Sequence, residues 1–239
     1  MAIALDRLKN RFGVPVTTAP IGTPYRETIQ APTSQHSRFK RQSGGHGQFG
    51  DVQISVQPVG RGEGVQFADK VVVGAVPRQY IPAVENGVRE GLLRGPLGFQ
   101  VVDLQVMLTD GKHHAVDSSE QAFKTAGRIA IQEALPNCKP VLLEPIVHIT
   151  VYTPDSATAA VQRLLSGRRG QILGYDGRDG WPGWDQVEAH MPQAEIRDMI
   201  VELRSLTMGV GSFEWRFNHL QEISGRIADD IVKARQESA

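Results

Sequence analysis

A strand-like pattern turns into a helix-like one between Val102 and Leu135, and this join limits the fold more than any other part of the chain. Val102, Leu104, Val106 and Leu108 alternate with other residues, as in a strand buried on one face. From Ser119 to Leu135 apolar residues, among them Phe123, Ile129 and Ile131, recur at helical spacing until Pro136 ends the run. The segment Gly111-Lys112-His113-His114-Ala115-Val116-Asp117-Ser118-Ser119-Glu120 must then be a tight strand-to-helix turn, so helices pack on a sheet. Asp117 and Ser118 are predicted N-cap residues, and Ser118 with Gln121 spells an S-x-x-Q capping box. A stiff turn that presents imidazoles and hydroxyls suits contact with a nucleic-acid backbone or base edge better than it suits an enzyme pocket.

Composition narrows the class. The 239 residues are enough for at least two domains. A single cysteine, Cys138, rules out an intrachain disulfide framework and a Cys-rich zinc site. The sequence opens on no signal-peptide pattern, and no apolar run approaches the ~20 residues that span a bilayer. A soluble, cytoplasmic protein without a membrane partner is the expectation. Formal net charge is zero, so any phosphate binding must come from local patches. Residues 1–60 supply one: Arg7, Lys9, Arg11, Arg26, Arg38, Lys40 and Arg41 stand against only Asp6, Glu27 and Asp51. From residue 181 onward the balance reverses, with ten acids against six bases.

Residues 2–12 read as an amphipathic helix with Leu5, Leu8 and Phe12 on one face and Gly13 as its stop. Val14, Val16 and Thr18 predict a strand. One helix and one strand bury no core, so this start reads as the tail of a domain lying upstream, with Met1 an artificial beginning. Residues 30–50 have the Ser, Gln, Gly and basic composition of a loop. Val52 to Val56 and Val65 to Val73 alternate as strands, and Pro77 to Arg94 is helical, with Ile81, Val84, Val88 and Leu92 on one face before Gly95-Pro96 ends it. Glu144-Pro145 marks a predicted boundary. Beyond it, strands at 146–152, 171–175, 186–190 and 212–218 alternate with helices at 154–166 and 194–205. That βαββαβ order is ferredoxin-like, and 223–236 adds a C-terminal helix.

Several motifs are tested by their context. Gly45-His46-Gly47-Gln48-Phe49-Gly50 fits G-x-G-x-x-G, with Asp69 beyond it, but it follows a basic stretch and leads into a strand pattern. A dinucleotide site needs a strand before and a helix after, so a glycine-rich turn is the reading. The sequence holds no G-x-x-x-x-G-K-[S/T] run, which excludes P-loop nucleotide hydrolysis by this chain. No histidine pair has metal-ligand spacing. His114, Asp117 and Ser119 have the residue types of a hydrolase triad, although their crowding in one turn favours capping. Arg168-Arg169-Gly170-Gln171 is either a phosphate grip or a cationic helix end. Trp181 and Trp184 either fold back onto the sheet, the favoured arrangement, or form a contact surface.

The chain resembles the C-terminal part of bacterial translation elongation factor G over essentially its whole length. The matching runs include Leu5-Asp6-Arg7-Leu8, Pro24-Tyr25-Arg26-Glu27-Thr28-Ile29, Gly44-Gly45-His46-Gly47-Gln48-Phe49, Ile81-Pro82-Ala83-Val84-Glu85, Val116-Asp117-Ser118-Ser119-Glu120, Leu142-Leu143-Glu144-Pro145, Arg168-Arg169-Gly170-Gln171-Ile172-Leu173-Gly174 and Leu203-Arg204-Ser205-Leu206-Thr207. The resemblance implies an α+β chain in three parts. Residues 1–25 would be a remnant of the third domain. Residues 26–142 would be a fourth domain, a ribosomal-protein-like βαβ arm with a left-handed crossover. Residues 143–239 would be a ferredoxin-like fifth domain with a C-terminal helix.

It further implies a ribosome-binding arm that acts as a monomer on ribosomal RNA and the tRNA–mRNA complex. No cofactor is implied on this chain; GTP and magnesium would belong to an N-terminal half. The decoding-site tip would comprise Pro96, Leu97, Gly98, Phe99 and Gln100 with Lys112, His113 and His114, and Arg168, Arg169, Gly170 and Gln171 would contact ribosomal RNA. The departures are a loop at Gly95–Val102 one residue short of the family pattern, a long Trp-bearing hairpin at 177–185, and Met208 and Val210 at usually polar and basic places. The leading reading is an arm that promotes tRNA–mRNA translocation by inserting its tip into the decoding site; the departures suggest a divergent paralogue, with recycling, protection or rescue as the alternative. A stand-alone RNA-binding module and an enzyme built on His114, Asp117 and Ser119 are the remaining readings.

Overall fold

The alternation at Leu104, Val106 and Leu108 has its counterpart in Val52, Ile54 and Val56, and all six side chains are fully buried under two helices. A computed structural model describes residues 2–14, 16, 22–42, 47–71 and 75–237, with side chains from residue 5 onward. Helix α1 (Ala2–Phe12) ends where Gly13 takes a left-handed φ of 66°. Its Leu8 and Phe12 are exposed. Val14 and Val16 belong to no strand, and Thr18, the end of that predicted strand, lies outside the described residues.

The next strands are β1 (Arg26–Ile29), β2 (Thr33–Arg41), β3 (Gln48–Pro58) and β4 (Val65–Asp69). Helix α2 (Ile81–Gly91), strands β5 (Gln100–Val101) and β6 (Leu104–Lys112), and helix α3 (Glu120–Ala134) follow. One sheet runs β2-β3-β6-β4, antiparallel except for the β4–β6 pair that α2 connects. The stretch expected to be a loop at 30–50 is therefore corrected to two strands, with residues 43–46 outside the described set. Its alternation is hidden because the helix-facing positions of β2 include polar ones. Buried Ser37 and neighbouring Gln35 both hydrogen-bond the Glu133 carboxylate of α3, Gln35 at 2.9 Å. The helices approach closely because Gly87 and Gly127 have no Cβ; one on Gly87 would lie 1.9 Å from the Lys124 carbonyl. The predicted strand through Val73 ends at Asp69, and residues 72–74 are outside the described set.

Strand β7 (Pro140–Pro154) opens the second half, followed by α4 (Thr158–Gly167), β8 (Gln171–Gly177), β9 (Trp184–Pro192), α5 (Met199–Leu206), β10 (Ser212–Ile223) and α6 (Arg226–Glu237). The order β10-β7-β9-β8 is that of a ferredoxin-like sheet, with Val147, Ile149, Val151, Val187 and Ala189 buried against Val161, Leu165, Met199 and Leu203. Glu144-Pro145, the predicted boundary, lies inside a continuous strand. β7 runs through it, pairing along one edge first with β1 (residues 140–143) and then with β9 (146–154). Pro145 falls between those two ladders, where that edge asks no N–H of it. β10 follows the opposite edge from Leu142 to Tyr152. Among the described residues no helix is long and apolar enough to cross a membrane.

Candidate nucleic-acid interface

β6 delivers Lys112, His113 and His114 to the end of the sheet where β2 finishes and β3 begins. Lys112 pairs with Asp51, and Arg41 with Gln48, so Lys40, Arg41, Lys112, His113 and His114 gather at one end. The turn that follows is cross-bonded to the start of β3. The Phe49 N–H donates to the Asp117 carbonyl at 2.8 Å and the Gly47 N–H to the Asp117 carboxylate at 3.0 Å. Ser118 Oγ donates to the Phe49 carbonyl at 2.9 Å and accepts the His114 N–H at 2.8 Å. Contrary to the prediction, neither Ser118 nor Asp117 caps α3. Ser119 does, accepting the Ala122 N–H at 3.2 Å. Its hydroxyl faces the helix and not His114, so the three residue types of a hydrolase triad are not assembled as one.

His114 is held by its own turn. Nδ1 accepts the Val116 and Asp117 N–H groups at 3.3 and 3.2 Å, and it also lies 3.4 Å from the Asp117 carboxylate. The two contacts ask opposite things of Nδ1. A neutral ring with its proton on Nε2 serves the backbone donors; a protonated ring gives up both for the ion pair with Asp117. In both states Nε2 is a donor, and it has no partner among the described residues. The ring is 55% exposed and lies beside Phe49, with centroids 6.2 Å apart. Short donors on a braced support are what contact with phosphate or a base edge requires.

The other half of the expected tip lies elsewhere. Pro96–Gln100 precede β6, whereas Lys112 ends it and His113 and His114 follow, and the eight steps from Leu104 to Lys112 at ~3.3 Å each put about 26 Å between the two ends. The loop is built around Glu27 instead. That buried carboxylate accepts N–H groups from Leu97 at 3.1 Å and Phe99 at 2.7 Å. Burial pushes its pKa up, and the backbone donors oppose that shift. From the other side Arg235 of α6 donates to the Gly98 carbonyl at 3.1 Å and its guanidinium lies 5.6 Å from the Phe99 ring centroid. The structure therefore does not join Pro96, Leu97, Gly98, Phe99 and Gln100 to the histidines; they cement β1, β5 and α6. A Gly-Pro helix stop carries no signal of which sheet end it adjoins. Sequence reasoning places Lys40 and Arg41 only in a basic patch and Gly47–Phe49 only in a glycine-rich turn; the pairing of β2, β3 and β6 is what brings them beside Lys112–His114.

Arg168 and Arg169 follow α4, and both guanidiniums are engaged internally. Arg168 donates to the carbonyls of Glu195 and Arg197 at 2.7 and 2.9 Å and to the Glu202 carboxylate. Arg169, at a left-handed φ of 60°, pairs with the buried Glu144. Gly170 packs against the Leu165 carbonyl, where a Cβ would come within 2.6 Å, and Gln171 begins β8. Trp181 does not fold onto the sheet as favoured. It is half exposed, and Arg178 lies between it and Tyr152.

Comparison with known proteins follows these two halves. The family model for elongation factor G, domain IV, matches residues 22–139, and that for the elongation factor G C-terminus matches residues 141–231. An elongation factor G-like protein of Synechocystis sp. (strain ATCC 27184 / PCC 6803 / Kazusa) is 53% identical over 231 residues, covering 97% of this chain and 34% of that protein. One from Mycobacterium tuberculosis (strain ATCC 25618 / H37Rv) is 46% identical over 218 residues, covering 90% and 30%. A crystal structure of a Thermus thermophilus protein superposes with a TM-score of 0.89 at 34% identity, covering all of this chain and 35% of that one. The chain thus spans about a third of the length of these relatives.

Proposed function

The chain belongs to the elongation factor G family, and from that premise we propose that it is a ribosome-binding arm that promotes movement of tRNA and mRNA. Residues 26–142 serve as the family's fourth domain, 143–239 as its fifth, and 1–25 as the end of its third. The end formed by Lys112–His114 and Gly47–Phe49 enters the decoding site as the tRNA–mRNA complex leaves it. GTP hydrolysis belongs to a separate part of the full-length factor, because this chain has no P-loop run. The arm works in the cytoplasm as part of a monomeric factor. The observation that carries the reading is the cross-bonding that fixes an exposed His114 beside Lys112 at the end of a fully packed sheet.

The test is made in a factor carrying this segment together with the remaining length of its relatives. His114→Ala should leave ribosome-stimulated GTP hydrolysis intact and slow mRNA movement by about tenfold, the effect of losing one positioned donor. Equal translocation rates for variant and parent would remove the tip from the mechanism. A second reading, a paralogue acting in recycling, protection or rescue, draws support from the relatives described as elongation factor G-like and from the Trp-bearing hairpin. The same assay separates the two, since a paralogue of that kind moves mRNA in neither form.

A further inference from the structure

The hairpin between β8 and β9 carries two indoles that the proposed arm does not use. It is a rigid loop made of two successive turns. The Trp181 N–H donates to the Arg178 carbonyl at 3.0 Å, the Trp184 N–H to the Trp181 carbonyl at 3.1 Å, and the Arg178 N–H to the Trp184 carbonyl at 2.7 Å. Gly180 and Gly183 supply the left-handed φ values, 73° and 79°, that these turns need. The loop is also tied to the start of α4, because the Asp155 N–H donates to the Gly183 carbonyl at 3.0 Å and Thr158 Oγ1 to the Asp185 carboxylate at 2.6 Å.

On this base a stack is assembled. The Arg178 guanidinium lies 4.2 Å from the ring centroids of both Tyr152 and Trp181, and Trp184 meets Trp181 edge to face at 5.7 Å. Tyr152 is anchored by its hydroxyl, which donates to Glu214 at 2.7 Å. With one guanidinium and one indole already against it, Trp181 is still 50% exposed. Rigid, exposed tryptophan beside arginine and tyrosine is the composition of binding hot spots, and fixing the loop beforehand lowers the entropy lost on binding.

Charge decides what fits. Asp155, Asp179 and Asp185 line the hollow of the hairpin, Asp176 shares the cross-strand row of Gln186 and Tyr152, Glu214 holds the Tyr152 hydroxyl, and the cation beside them, Arg178, is already held between two rings. A phosphate backbone would meet carboxylates there. A lysine or arginine side chain would meet an open indole face and carboxylates around it. We propose that this hairpin docks an extended, basic peptide segment of a partner protein. One cationic side chain lies over the open part of Trp181 and lengthens the Tyr152–Arg178–Trp181 stack. Its neighbours pair with Asp176 and Asp179.

The test is titration calorimetry of the whole chain with a dodecapeptide of alternating lysine and glycine, and separately with a dodecamer of single-stranded RNA. The peptide should bind, and Trp181→Ala should leave the affinity for the RNA unchanged. Trp181→Ala should weaken the peptide by about tenfold, the size of one desolvated cation–π contact. Asp179→Asn should weaken it by a few-fold and flatten its salt dependence, and Gln53→Ala, at an exposed position of β3, should leave the peptide affinity unchanged. If Trp181→Ala disturbs the hairpin by circular dichroism, Trp181→Phe decides, since it keeps a ring and should keep the binding. Peptide affinity indifferent to both Trp181 variants, or RNA affinity that falls with Trp181→Ala, overturns the proposal. Either result leaves the translocation reading untouched, because that rests on His114.

Discussion

Asp51 is nearly inaccessible to solvent, yet it lies on the uncovered face of its sheet, roofed by two side chains of the neighbouring strand. His36 Nε2 lies 2.9 Å from one carboxylate oxygen and Arg38 Nε donates to the other at 2.7 Å. Burial pushes the Asp51 pKa up, but the hydrogen bonds and charges of Arg38 and His36 outweigh it and the net shift is downward. A carboxyl whose folded pKa is depressed adds stability that is present above its unfolded value, ~3.9, and is lost as pH falls through the folded value. Asp51→Asn should therefore cost on the order of 2 kcal/mol at neutral pH, and the gap to the parent should begin to narrow only below about pH 4 and close once the pH has passed the depressed folded value. Urea unfolding at a series of pH values measures this; a gap independent of pH would show that packing, not the carboxylate's charge, matters there. None of this was legible in the sequence, where Asp51 is one acid near a basic stretch. The α3 cap was legible to within one residue. Asp117, Ser118 and Ser119 are all capping types, and only cross-strand bonds to Phe49 and Gly47 draw the first two away.

At the scale of elements, Arg168 fastens the segment between β9 and α5 to the end of α4. Its guanidinium serves two backbone carbonyls and one carboxylate at once, and its side chain is only 17% exposed. Arg168→Ala should cost on the order of 2 kcal/mol, and Arg168→Lys should not restore it, because an ammonium cannot span three acceptors set for a planar fork. Denaturant midpoints of the three proteins give the answer. A phosphate grip on a free surface predicts unchanged midpoints instead. The sequence placed this Arg pair correctly between a helix and a strand but could not show its partners, which lie on a segment more than twenty residues further on. Elements with apolar alternation or helical periodicity were readable. Those without it, β2 with its polar inner face and the very short β1 and β5, were not, because their burial depends on partners distant in the chain.

For the whole molecule the decisive element is β7, since one continuous strand belongs to both halves. It gives its first residues to β1 and its later ones to β9, while β10 runs alongside across the transition. Side chains reinforce the junction. Glu222 of β10 accepts from Gln30 at 2.9 Å and pairs with Arg61, and Arg235 of α6 holds the loop built on Glu27. Proline in a strand pattern reads as an interruption, which is why the sequence shows Glu144-Pro145 as a boundary and not as the middle of one strand. It is tolerated because it sits between two ladders. Bending here would require breaking β10 ladder bonds together with these side-chain contacts, so the two halves should move as one body. Spin labels on Gln53→Cys in β3 and Arg204→Cys in α5, both exposed, test this. Cys138 does not interfere: it is buried, and its thiol pKa is pushed up to about 11, so it stays unreactive near neutral pH. A single narrow distance distribution is expected, unchanged when salt screens the surface ion pairs. A broad or salt-dependent distribution would mean that β7 frays at Pro145, and an arm that bends at its base could not hold His114 at a fixed place.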